Sequence, residues 1–122
     1  MAFIGDAVHT LYIRERIVED SDGVMGTLHT AASRFASAVA QAVVYERLVS
    51  SGMLTDEEAD VGRRARNAHL HSRAKTASST EYHKATALEA VIGYVHVGGD
   101  KSREKFLLDT CYALGMDAQA DK

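Results

Sequence analysis

Nothing along this chain obstructs helical backbone, because none of its 122 residues is proline, the residue that removes a backbone donor and clashes with the preceding turn. Its long stretches are rich in Ala, Leu, Glu and Arg, the best helix formers, and its apolar residues recur three and four apart rather than alternating. The chain therefore reads as all-α. A chain of this length with 46% apolar residues fills one compact core and leaves no room for a second domain.

The helices can be placed one by one. Phe3, Ile4, Ala7, Val8, Leu11 and Tyr12 continue at helical spacing to Ile17, predicting an amphipathic helix over 3–18 that ends before Asp20-Ser21-Asp22-Gly23. Thr27 suits the cap of a short helix to Phe35, and Ser37 opens an Ala-rich one that Gly52 ends, unless the two run on as one. Thr55-Asp56-Glu57-Glu58 has the capping-box form, so a helix is expected from 55 to 68. Residues 69–79 show no apolar period and read as a surface loop, with Thr80 as the next cap. Tyr82, Ala85, Leu88, Val91, Ile92 and Val95 then give the next helix a broad apolar face, stopped by Gly98-Gly99. Asp100 opens a last helix with Phe106, Leu107, Tyr112 and Leu114 on its packing face. One domain over 1–115 followed by a frayed polar tail over 116–122 is the expected organisation.

No segment approaches the roughly 20 consecutive apolar residues of a membrane helix; the longest apolar run, around Val91 to Val97, is broken by His96. Asp6, Glu15, Glu19 and Asp20 are unlike a secretory signal or an acid-poor transit peptide, so a cytoplasmic location is expected. Cys111 has no second cysteine to pair with and reads as core filler. The net charge of −3 does not favour nucleic acid as a partner, yet the distribution does. Asp56, Glu57, Glu58 and Asp60 precede a stretch, Val61 to Thr80, that holds Arg63, Arg64, Arg66, Arg73 and Lys75 and no carboxylate. One surface region is locally basic. Its arginines read either as a solvated helix face pairing with Asp56 to Asp60 at i,i+3 and i,i+4 or as a grip on the phosphates of a nucleic acid.

Two acids stand apart because apolar residues surround them: Asp6 within FIGDAV and Glu89 within ALEAVIGYV. A carboxylate in such a setting needs a cationic partner, a hydrogen-bond network or a metal. Each alone reads as an ordinary ion pair or a helix-edge acid, whereas the two together can converge from separate helices on a hard cation with oxygen ligands. His69, His71 and His83 fit no zinc-ligand spacing, and His9, His29 and His96 read as helix-surface or half-buried residues.

IGDAV near the start, SRFASAVAQA in the middle, RRARNA with its trailing basic loop, and TALEAVIGYV stand in this order within 122 residues. In order and spacing they resemble Mini-ribonuclease III, the reduced branch of the ribonuclease III family that lacks an attached double-stranded-RNA-binding domain, and the resemblance spans about Phe3 to Leu114. It implies a ribonuclease III-type helical bundle. It also implies an endoribonuclease that hydrolyses double-stranded RNA with Mg²⁺, or Mn²⁺ as a substitute, held by the catalytic acids Asp6 and Glu89. Arg63, Arg64, Arg66, Asn67, Arg73 and Lys75 are the implied RNA contacts. A homodimer would place two sites on opposite strands, and the implied substrate is the paired ends of the large-subunit ribosomal RNA precursor. Full-length relatives carry two further acids, at positions that are Ala2 and Thr86 here, while a common lysine is Val39 and a loop proline is Ala74. The alternative is a non-catalytic scaffold of the same fold that binds structured RNA. A helical protein-interaction module would leave both embedded acids and the basic loop unexplained.

Overall fold

The computed structural model describes residues 1–20, 25–68 and 77–120, and these are helical nearly throughout, with no strand among them. The elements are α1 (Ala2–Asp20), α2 (Met25–Ala36), α3 (Ala38–Ser50), α4 (Asp56–Asn67), α5 (Ala77–Gly98) and α6 (Lys101–Ala120). Among the described residues, no helix is long and apolar enough to cross a membrane.

Helix α5 is the axis of the fold, and its sequence explains why. Ala85, Ala87, Leu88, Ala90, Val91, Ile92 and Val95 are all buried, so the helix is apolar around most of its circumference and other helices must surround it. Helices α1, α3 and α4 do so, and α6 closes the bundle against α3 and α5. Leu48, Leu88, Val91, Ile92, Leu107 and Cys111 form the fully enclosed centre. Burial pushes the Cys111 thiol up to about 12, in keeping with a cysteine that acts as a small hydrophobe.

Local signals set most boundaries. Ser37 accepts from the Ala40 amide at 3.1 Å and separates α2 from α3, so the two do not merge. Thr55 and Glu58 form the expected capping box at α4. Gly52 and Gly99 take the left-handed conformation after α3 and α5, which glycine adopts without a Cβ penalty. Asp100 accepts from the Arg103 amide at 3.0 Å and caps α6.

Two boundaries differ from the sequence reading. Helix α5 begins at Ala77, ahead of Thr80; the rest of the expected loop, residues 69–76, lies outside the described residues. Helix α6 runs through Gly115 to Ala120 instead of fraying. A Cβ at Gly115 would lie 2.9 Å from the Phe35 ring, so this glycine lets the helix pass close to α2 rather than ending it. Phe35 also stacks on Tyr112 of α6, with ring centroids 4.9 Å apart, and α6 is held against α1 where Tyr12 donates to Asp109.

Candidate active site

The crossing of α1 over α5 builds the site. Gly5 and Gly93 face each other there: a Cβ on Gly5 would lie 1.7 Å from the Glu89 carbonyl oxygen, and one on Gly93 would lie 2.1 Å from the Met1 carbonyl oxygen. Only two glycines allow the backbones so close. The consequence is that the carboxyl of Asp6, next to Gly5 in the chain, comes within hydrogen-bonding reach of that of Glu89. The two acids singled out from the sequence, 83 positions apart by their numbers (89 − 6), are in contact. Asp6 is exposed and Glu89 half-buried.

The pair is electrostatically loaded. Burial, with the hydrogen bond and charge of Asp6 added, holds the Glu89 carboxyl up at about 7, against a smaller opposing pull from a hydrogen bond to Gln41. Gln41 is 5% exposed, and its Nε2 also donates to the Ala36 carbonyl at 3.1 Å. Its Oε1 is buried without a partner. His9, one turn beyond Asp6, is 6% exposed, not on the surface or half-buried as its place in the sequence suggested. Burial brings its imidazole down to about 4, although the Asp6 charge pulls the other way.

These groups fit a hard divalent cation. Two carboxylates in contact repel when both are ionised, and a cation between them removes that conflict. Two carboxylates as the donors suit an ion that binds one or two carboxylates and keeps several of its waters, as Mg²⁺ does; among the described residues there is no cluster of three or more His, Cys, Asp or Glu able to hold a metal. The buried Gln41 oxygen beside the pair is a polar atom in need of such a water. Thr86 directs its hydroxyl to the Tyr82 carbonyl at 3.0 Å and Ala2 offers no donor, so neither adds a ligand to the pair.

The basic residues divide. Arg63 and Arg64 are exposed and both pair with Asp60, Arg64 at 2.7 Å, the solvated-face arrangement. Arg63, Arg66 and Asn67 also line a cleft of about 380 Å³ between α3 and α4, together with Tyr45 and Lys84. Lys84 pairs with Glu46. Arg73 and Lys75 lie outside the described residues. The sequence reading missed Gln41, Gly5 and Gly93. The two glycines had a signal, being isolated inside apolar helical stretches where only a packing need tolerates them.

Comparison with known proteins points to one family. Residues 1–100 match the family profile described as Ribonuclease III domain. The Mini-ribonuclease 3 of Enterococcus faecalis is 37% identical over 111 residues, 91% of this chain and 84% of that protein. The Mini-ribonuclease 3 of Symbiobacterium thermophilum is 38% identical over 103 residues, 84% of this chain and 78% of that one. A crystal structure of a protein from Fusobacterium nucleatum superposes with a TM-score of 0.72 at 30% identity, covering 88% of this chain and 84% of the other.

Proposed function

The chain belongs to the ribonuclease III family, and from that premise we propose that it is a metal-dependent endoribonuclease hydrolysing double-stranded RNA, with Asp6 and Glu89 as its catalytic, ion-holding acids. The observation that carries this reading is the contact between those two carboxylates. A bound Mg²⁺, or Mn²⁺ in its place, supplies Lewis acidity at the phosphodiester and lowers the pKa of water. The protein's part is positional. Exposed Asp6 meets the solvent side from which RNA arrives, Glu89 is anchored from α3 by Gln41, and the glycine crossing fixes the spacing between them.

Duplex RNA is gripped through phosphates and 2′-hydroxyls rather than base edges, and we assign that contact to Arg63, Arg64, Arg66 and Asn67, with Arg73 and Lys75 on the adjoining segment. Residues 1–115 form the catalytic unit. A homodimer accounts for the apolar stripe on α1, where Phe3 is 92%, Leu11 61% and Val18 58% exposed, and gives two sites for two strands. The paired ends of the large-subunit ribosomal RNA precursor, in the cytoplasm, are the substrate we assign.

Incubating the wild type, Asp6→Asn and Glu89→Gln with a labelled RNA duplex, with and without Mg²⁺, tests the reading. Ion-dependent cutting by the wild type alone is expected. Binding of the duplex by all three without cutting would favour the scaffold alternative, and equal cutting by all three would mean the acids are misassigned.

A further inference from the structure

Two carboxylates leave an ion such as Mg²⁺ with most of its shell as water, and the hydrogens of that water need acceptors fixed by the protein. Ala2 and Thr86, one turn before Asp6 and Glu89, add no carboxylate to the pair, and the Thr86 hydroxyl is spent on its own helix. Besides buried His9, a polar group from a third helix reaches the pair. Gln41 enters from α3, is buried, and comes near enough to the Glu89 carboxylate for its amide to favour the charged form. Its Nε2 is occupied by Ala36 O as well, while its Oε1 is enclosed and has no partner. Buried polar atoms are almost always satisfied, so an orphan beside two acids points to something that belongs there. The two heteroatoms of an amide share one carbon, so Oε1 cannot lie far from the nitrogen that faces the carboxylate.

We propose that Gln41 is a positioning residue of the ion site: its N–H fixes the Glu89 carboxylate, and its Oε1 accepts a hydrogen bond from the cation's hydration shell. This rests on the reading of Asp6 and Glu89 as ion ligands. It gives the central ASAVAQA stretch a function that its Ala-rich sequence conceals, and it makes α3 the third wall of the site beside α1 and α5.

Calorimetric titration of the full chain with Mg²⁺ alone, without RNA, tests the assignment in the wild type, Gln41→Leu, Gln41→Glu and Glu89→Gln, alongside melting curves in chelator. Gln41→Leu is expected to weaken Mg²⁺ binding about 10- to 100-fold, the usual effect of losing an outer-shell partner, with no matching fall in the melting temperature of the ion-free protein. Gln41→Glu, which keeps an oxygen at the position, is expected to bind at least as tightly as the wild type. Unchanged affinity in Gln41→Leu overturns the proposal. Should Gln41→Leu fail to fold, the near-isosteric Gln41→Met, which has neither amide atom, decides: a tenfold loss of Mg²⁺ binding supports the role, and unchanged binding overturns it. If instead the wild type binds no Mg²⁺, or Glu89→Gln binds as well as the wild type, the acid pair itself has been misread; binding lost in Glu89→Gln yet kept in Gln41→Leu removes Gln41 only.

Discussion

Gly5 presses its α-carbon against the carbonyl group of Glu89, with no room for a methyl group between α1 and α5. The spacing of the two acids therefore depends on a residue with no chemistry of its own. Gly5→Ala forces the backbones apart, since the obstructing atoms are backbone rather than a yielding side chain, and it moves Asp6 away from Glu89. A misplacement of about 1 Å can lower a rate about 100-fold, so Gly5→Ala is expected to lose at least that much duplex cleavage and to melt earlier. A variant with wild-type rates in a single-turnover cleavage assay would refute the claim that the crossing sets the site.

The acid pair and His9 also shape stability against pH, in opposite directions. Folding raises Glu89 from its ordinary value of 4.5 to about 7, so its contribution is present below pH 4.5 and is lost as pH rises to 7. Folding lowers His9 from 6.5 to about 4, so its contribution is present above pH 6.5 and is lost as pH falls to 4. Over most of that window the two slopes offset. Glu89→Gln removes the falling one, and its stability relative to the wild type, measured as the urea midpoint in chelator, is expected to improve steadily from pH 4.5 to 7. A difference independent of pH would show that Glu89 is not strained in the ion-free protein.

How much of this was legible in the sequence follows from the range of each signal. The capping box at Thr55 and Glu58, the cap at Ser37 and the apolar face of α5 are local, and the helices they predict are the helices found. Asp6 and Glu89 stood out because acids rarely sit among apolar neighbours, and their contact follows once α1 and α5 cross. Gln41 was silent because a glutamine in an Ala-rich helix looks like a surface residue until the helix is packed. The end of α6 was misread because Gly115 resembles a helix stop, whereas its role is to clear the Phe35 ring.

Glu58 carries a second long-range partnership that no local pattern reveals. It is almost wholly buried, and beyond its capping role it accepts from Arg103 Nε at 2.9 Å, while Arg103 also donates to the Met53 carbonyl at 2.7 Å. Burial alone would raise the Glu58 carboxyl; the hydrogen bonds from Arg103 and Thr55 outweigh it and hold the carboxyl below its ordinary value. Arg103→Leu strands that charge, and breaking a buried pair from one side costs about 3 kcal/mol or more. A large drop in the urea midpoint with unchanged Mg²⁺ affinity is expected. A loss within error of zero would mean that Glu58 is sustained by its capping role alone.

The α1 stripe makes the assembly testable on its own terms. Phe3 lies three residues before Asp6 and is almost fully exposed, an unfavourable place for a large aromatic unless another surface covers it. Ala7, Leu11 and Val18 extend the same side of the helix at spacings that keep them together. A second copy docked there would bury this stripe next to the acids and set two sites near one interface. Phe3→Asp places a charge at that contact and, being solvent-facing in the single chain, leaves the folded subunit intact. Sedimentation velocity should give twice the 13.2 kDa chain mass for the wild type and one chain mass for Phe3→Asp, with duplex cleavage reduced in step. A variant that still sediments as a dimer would move the interface off α1, and a monomeric wild type would remove the two-site arrangement altogether.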